Sequence, residues 1–120
     1  PKAAFEAKSV DAAVEALLGG KDLTDSGEIT IKAPDIAENG AVVPIQVDTS
    51  LSGVESIAII ADQNPSPLVA NFSFGENAVG YVSTRIKMGK TGNVVAVVKA
   101  GGKLYQAKKE VKVTIGGCGG

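Results

Sequence analysis

The sequence predicts an all-β protein: an immunoglobulin-like antiparallel β-sandwich of about seven strands, with a short N-terminal helix and a flexible Gly-rich C-terminal arm. Three observations carry this. Apolar and polar residues alternate with a period of two through most of the chain after residue 28. Turn signals interrupt the alternation every ~8–14 residues, the spacing of a sandwich. Two segments, Ile57 to Ala61 and Val94 to Ala100, are apolar on both faces and read as central strands. The Cys…Trp…Cys core of antibody domains is missing, so the architecture alone is implied.

The helix comes first. Val10, Val14, Leu17 and Leu18 recur at i, i+4, i+7 and i+8 and so share one face. Ser9 is the expected N-cap, and Asp11 stands in the first turn, where the helix dipole favours a negative charge. Gly19-Gly20 is the stop signal. A helix of about ten residues is marginal alone, so its Val/Leu face must dock on something.

The strands follow in order. Ile29, Ile31 and Ala33 alternate with Glu28, Thr30 and Lys32, before Pro34 and the Glu38-Asn39-Gly40 turn. Val43, Ile45 and Val47 alternate with Pro44, Gln46 and Asp48, and the proline suggests an edge strand or a bulge. After the two-faced Ile57–Ala61 comes the loop Asn64-Pro65-Ser66-Pro67, then Leu68, Ala70, Phe72 and Phe74 on one side of a strand. Val82, Thr84, Ile86 and Met88 form the next set, closed by the hairpin-length turn Gly89-Lys90-Thr91-Gly92. Val94–Ala100 leads through a tight Gly101-Gly102 turn into a last strand from about Lys103 to Ile115. There Tyr105, Ala107, Val111, Val113 and Ile115 face one way, and Gln106, Lys108, Glu110, Lys112 and Thr114 the other. The chain thus divides into a sandwich domain with its helix, residues 1–115, and an arm, residues 116–120.

Composition removes whole classes of function. The chain has 120 residues, 12 Lys+Arg, 13 Asp+Glu, no His, no Trp, 15 Gly and one Cys. A net charge of −1 gives no basic footprint for nucleic acid. Without His and with one Cys, the chain cannot build the usual Cys/His zinc site, a Ser-His-Asp triad or a Cys-His pair. Hence no metal site and no catalytic residue are expected. No apolar run of 18 or more residues exists, so no membrane-spanning helix is predicted. A start at Pro1 rather than Met is compatible with a removed leader, though no signal peptide is read in the residues themselves.

The chemistry points to the last five residues. Gly116, Gly117, Gly119 and Gly120 flank Cys118, and four of the 15 glycines thus lie together. Glycine populates φ/ψ space broadly, so this stretch reads as a flexible tether for a thiol with no bulky neighbour. From Ile115 to Cys118 is three residues, a reach of roughly 10 Å. Such a slender arm suits entry into another protein's narrow active-site channel. No Lys or Arg lies in the tail to activate the thiol, and the terminal carboxylate opposes activation. Cys118 therefore looks like a handle on which a group is carried. Sulfur is the obvious cargo, because thiols form and exchange S–S bonds.

The C-terminal residues Val113-Thr114-Ile115-Gly116-Gly117-Cys118-Gly119-Gly120 resemble the end of the SoxY family, the Y subunits of the Sox sulfur-oxidation carrier. Length, strand number and layout are similar over residues 10–115. The resemblance implies a periplasmic carrier in thiosulfate oxidation that acts as a heterodimer with SoxZ and is not itself an enzyme. It implies no cofactor beyond sulfur intermediates bound covalently at Cys118. It implies transient docking to the SoxAX cytochrome, the SoxB hydrolase and the SoxCD sulfur dehydrogenase.

Other readings of the same residues stay open at the level of sequence. The tail could be a labelling sequence on an unrelated sandwich, or Cys118 could serve only an intermolecular disulfide. Gly119-Gly120 could be a diglycine converted to a thiocarboxylate, although those carriers place their helix in mid-chain. Prenylation fails because two residues, not three, follow Cys118. Lys108, Lys109 and Lys112 read as either a solvated strand face or a docking patch. The two-faced strands leave room for a partner over one sheet. Asp62 and Asn64 start a loop rather than an EF-hand.

Overall fold

In the computed structural model, the described residues are 2–20, 22–75 and 79–114. Two helices, α1 (Lys2–Glu6) and α2 (Val10–Leu18), precede nine strands. The strands are β1 (Thr24–Asp25), β2 (Ile29–Lys32), β3 (Ile36–Ala37), β4 (Val43–Thr49), β5 (Val54–Ala61), β6 (Leu68–Ser73), β7 (Tyr81–Ile86), β8 (Gly92–Ala100) and β9 (Lys103–Val113). The seven longer strands are those the alternation predicts. The two-residue strands β1 and β3 are too short to leave a periodic signal, as is α1.

The strands form two sheets packed face to face. The larger has the order β1-β9-β8-β5-β6, with β3 also paired to β9. The smaller has the order β2-β4-β7. The pairings of β9 with β8, β8 with β5, β5 with β6, and β4 with both neighbours are antiparallel. Only β1 and β3 run parallel to β9. Between the sheets lies the main core, built from alternate residues of both: Val43, Ile45 and Val47 from β4 meet Ile57 and Ile59 from β5 and Val94, Ala96 and Val98 from β8.

β5 and β8 are apolar on both faces because both faces are covered. Ala58, Ile60, Val95 and Val97 point away from the sandwich core into a second cluster with Ala4, Ala13 and Val14 of the helices. The chain's own helices therefore cover this outer face, where the sequence left room for a partner. Val10, Leu17 and Leu18 line the edge of the same contact, as the helical spacing requires. Ser9 caps α2 by accepting a hydrogen bond from the Ala12 N–H (3.1 Å). Gly19 closes it at φ +75°, in the left-handed region that favours glycine.

Two turns differ from a simple meander. Gly101 and Gly102 both take positive φ, which a two-residue hairpin between β8 and β9 needs. Gly89 to Gly92, of hairpin length, instead carries the chain from β7 in the small sheet to β8 in the large one. Turn length sets how sharply a chain reverses, not which sheet it enters next. Pro44 sits in the middle strand of the small sheet, but β2 ends opposite Gln46. At Pro44, β4 has only β7 beside it, so the proline occupies a local edge.

The two sheets differ in their outer faces. Thr30, Lys32, Pro44, Gln46, Asp48, Tyr81, Ser83 and Arg85 of the small sheet are all exposed, whereas helices lie over the large one. Among the described residues, no helix is long and apolar enough to cross a membrane.

Candidate functional site: the root of the C-terminal segment

Gly116, Gly117, Cys118, Gly119 and Gly120 lie outside the described residues, as does Ile115. What the structure shows is the place from which they depart. β9 ends at Val113, beyond the end of its neighbour: β8 begins with Gly92 opposite Val111. The last residues of β9 thus overhang the sheet, and other groups satisfy their backbone.

On one edge β3 supplies them. The Lys112 N–H donates to the Asp35 carbonyl (2.9 Å), and the Thr114 N–H donates to the Ala37 carbonyl (3.0 Å). On the other edge, where β8 is missing, a side chain takes the place of a strand. The Val113 N–H donates to the Thr91 hydroxyl oxygen (2.8 Å). Successive N–H groups of a strand point to opposite sides, so these three bonds hold the end of β9 from both edges. Below them Val111 is fully buried, and Val113 packs against the same core.

A charge pair adds to the clamp. The Lys109 ammonium lies 2.7 Å from the Asp35 carboxylate. That hydrogen bond, with the attraction between the charges, holds the Asp35 carboxyl below its ordinary value. The side chain of Lys109 is 29% exposed and that of Asp35 is 90% exposed, so water screens the pair, which contributes more to geometry than to stability. The three lysines that the sequence groups together are thus separated. Lys108 and Lys112 are exposed, whereas Lys109 has the parity of the core-facing Tyr105, Ala107, Val111 and Val113 and bends to Asp35.

Gly40 completes the root. A Cβ there would collide with the Met88 carbonyl oxygen and lie 3.0 Å from Val113 Cγ1. Glycine is required by close approach, and the Met88 N–H donates back to the Gly40 carbonyl (2.7 Å). The Glu38-Asn39-Gly40 turn read in the sequence is therefore pressed against the base of the C-terminal segment.

Asp62 and Asn64 tie loops together. Asp62 accepts from the Asn93 N–H (2.8 Å), and the Asn64 amide bonds both the Lys87 carbonyl (2.7 Å) and the Gly89 N–H (3.0 Å). Among the described residues no group of three or more His, Cys, Asp or Glu side chains is placed to hold a metal ion. Sequence reasoning missed Asp35, Ala37 and Thr91 as root residues. The one available signal was Lys109, a charge at a core-parity position.

Fold and sequence together define a two-sheet β-sandwich whose last strand is clamped at its end and continues into a glycine-flanked cysteine. A family model described as "Sulfur oxidation protein SoxY" matches residues 14–118, a span that runs to the cysteine. The chain belongs to the SoxY family. The solved structure of the sulfur carrier protein SoxY from Chlorobium limicola f thiosulfatophilum is similar, with 49% sequence identity and a TM-score of 0.81. The match covers 92% of this chain and 96% of that one. No curated protein sequence matches.

Proposed function

We propose that the protein is a periplasmic carrier of thiosulfate-derived groups, with Cys118 as the attachment point and Gly116, Gly117, Gly119 and Gly120 as the arm that presents it. The observation that carries this reading is the position of the lone cysteine. It follows a strand whose final residues are bonded on both edges, with only glycine on either side of it. Family membership in a group of sulfur oxidation proteins supports sulfur as the cargo.

The chemistry balances as follows. The Cys118 thiolate and thiosulfate join through a new S–S bond, giving Cys–S–S–sulfonate and two electrons. A c-type cytochrome, SoxAX, accepts the electrons. SoxB then adds water across the terminal S–S bond, releasing sulfate and two protons and leaving a persulfide on Cys118. SoxCD oxidises the remaining sulfane to a sulfonate: three waters supply the oxygens, six protons leave, and six electrons pass to a redox acceptor. The chain contributes the thiol and its delivery; the enzymes contribute catalysis. SoxZ is the proposed stable partner. The outer face of the small sheet is the broad face that the chain's own helices do not cover.

Cys118→Ser should abolish thiosulfate-dependent turnover in a reconstituted system while leaving the melting curve unchanged. Retained turnover would remove the carrier reading.

A further inference from the structure

We propose that the root of the arm is also the docking surface: receiving enzymes seat an apolar lip of their channel mouth, set in an acidic face, against Ile36 and Val42. This deepens the carrier reading and rests on it. Cys118 is four residues beyond Thr114, so the thiol travels at most about 14 Å from the last bonded residue. Any enzyme that takes the thiol into its active site must therefore touch the surface around Thr114.

That surface has two features. The first is apolar. Ile36 is 56% exposed and Val42 is 49% exposed, and with Pro34 and Pro44 they border a depression of about 370 Å³. Ile36 belongs to the strand that pairs with Lys112 and Val113, so the depression opens beside the departing chain. The second is charge. Lys87, Lys90 and Lys112 are exposed next to the residues that clamp the root, and they outnumber the two exposed acids there, Glu38, which lines the depression, and Glu110, on the same side of β9 as Lys112. The Asp35 carboxylate is already matched by Lys109. A chain of net charge −1 thus presents a positive rim at this end, complementary to an acidic partner.

The size of the patch favours a transient enzyme over a permanent subunit. A stable interface takes about twenty or more residues from each side. Two large exposed apolar side chains in one depression suit a brief contact, which a carrier that visits several enzymes needs.

The test uses the full chain, with its partner subunit where one co-purifies. The initial rate of Cys118 conjugation by the thiosulfate-linking cytochrome is measured against carrier concentration and salt. Val42→Glu should raise KM about tenfold with kcat kept, since an apolar anchor is lost. Lys90→Glu/Lys112→Glu should raise KM and flatten its salt dependence. Lys103→Glu, at the opposite end of β9 and roughly 33 Å away, should change neither. Alkylation of Cys118 by iodoacetamide should proceed at the native rate in every variant. Native KM values in the root variants, with Cys118→Ser inactive, would overturn the docking surface and leave the carrier reading intact. Turnover by Cys118→Ser would overturn both. A changed oligomeric state for Val42→Glu on size exclusion, with KM unmoved, would assign the patch to a subunit interface and overturn its role in enzyme docking.

Discussion

The hydroxyl oxygen of Thr91 accepts the N–H of Val113 at 2.8 Å, at a point where β9 has outrun its neighbour β8. A side chain from the β7–β8 crossing thereby does what a strand would do, two residues beyond the last residue of β9 that β8 pairs with. Thr91→Val keeps the shape and removes the acceptor. It should cost about 1 kcal/mol of stability. Amide exchange at Val113 and Thr114 should accelerate well beyond any change elsewhere in β9. Unchanged protection at those two amides would mean that the Thr91 hydroxyl does not hold the root.

The Asp35–Lys109 pair makes a pH prediction. Lys109 holds the Asp35 carboxyl below its ordinary value of 3.8. A depressed carboxylate contributes to the folded state above the unfolded value, and the contribution fades as pH falls through the lowered one. Because Asp35 is exposed, overall stability should hardly respond. The carboxyl carbon of Asp35, followed by NMR, should titrate below the other exposed aspartates, and Lys109→Met should return it to their range. Identical titration in the two proteins would show that the pair does not persist in solution.

Gly40 is predicted to be intolerant for steric reasons. Gly40→Ala drives a methyl into the Met88 carbonyl and against Val113. Overpacking of this kind costs about 1–3 kcal/mol. Denaturant titration should show that loss, whereas Gly27→Ala, where a Cβ meets nothing within 4 Å, should stay near the native midpoint. Equal midpoints would mean that the 38–42 turn relaxes freely.

The outer face of the large sheet depends on α2. Ser9→Ala removes the N-cap and should cost about 1 kcal/mol. Ile60→Ala, beneath the helices, should cost about 2–5 kcal/mol. If Ile60→Ala is silent in chemical denaturation, the helices do not pack on β5 as described.

Much of this architecture was legible in the sequence because burial leaves a period. Val43, Ile45 and Val47 announce a one-faced strand, and the doubly apolar Ile57–Ala61 and Val94–Ala100 announce central strands. What covered the second face was not legible. Apolar residues at Ala58 and Val95 require a cover but carry no mark of whether it is a partner or the chain's own helix. The clamp at the root was hidden for a related reason. Backbone carbonyls of Asp35 and Ala37 do its work, and any residue has a carbonyl. Only Lys109, a charge on the core-facing side of β9, hinted that something across from it had to answer. The cysteine stood out because chemistry, unlike packing, depends on residue type, and the chain has one thiol.

The most direct test of the carrier account is mass spectrometry of the protein after incubation with thiosulfate and the conjugating cytochrome. The account predicts a thiol-labile addition of one S₂O₃ unit on the Cys118 peptide, lost on reduction. A free Cys118 thiol with the addition instead at the Gly120 carboxylate would contradict it.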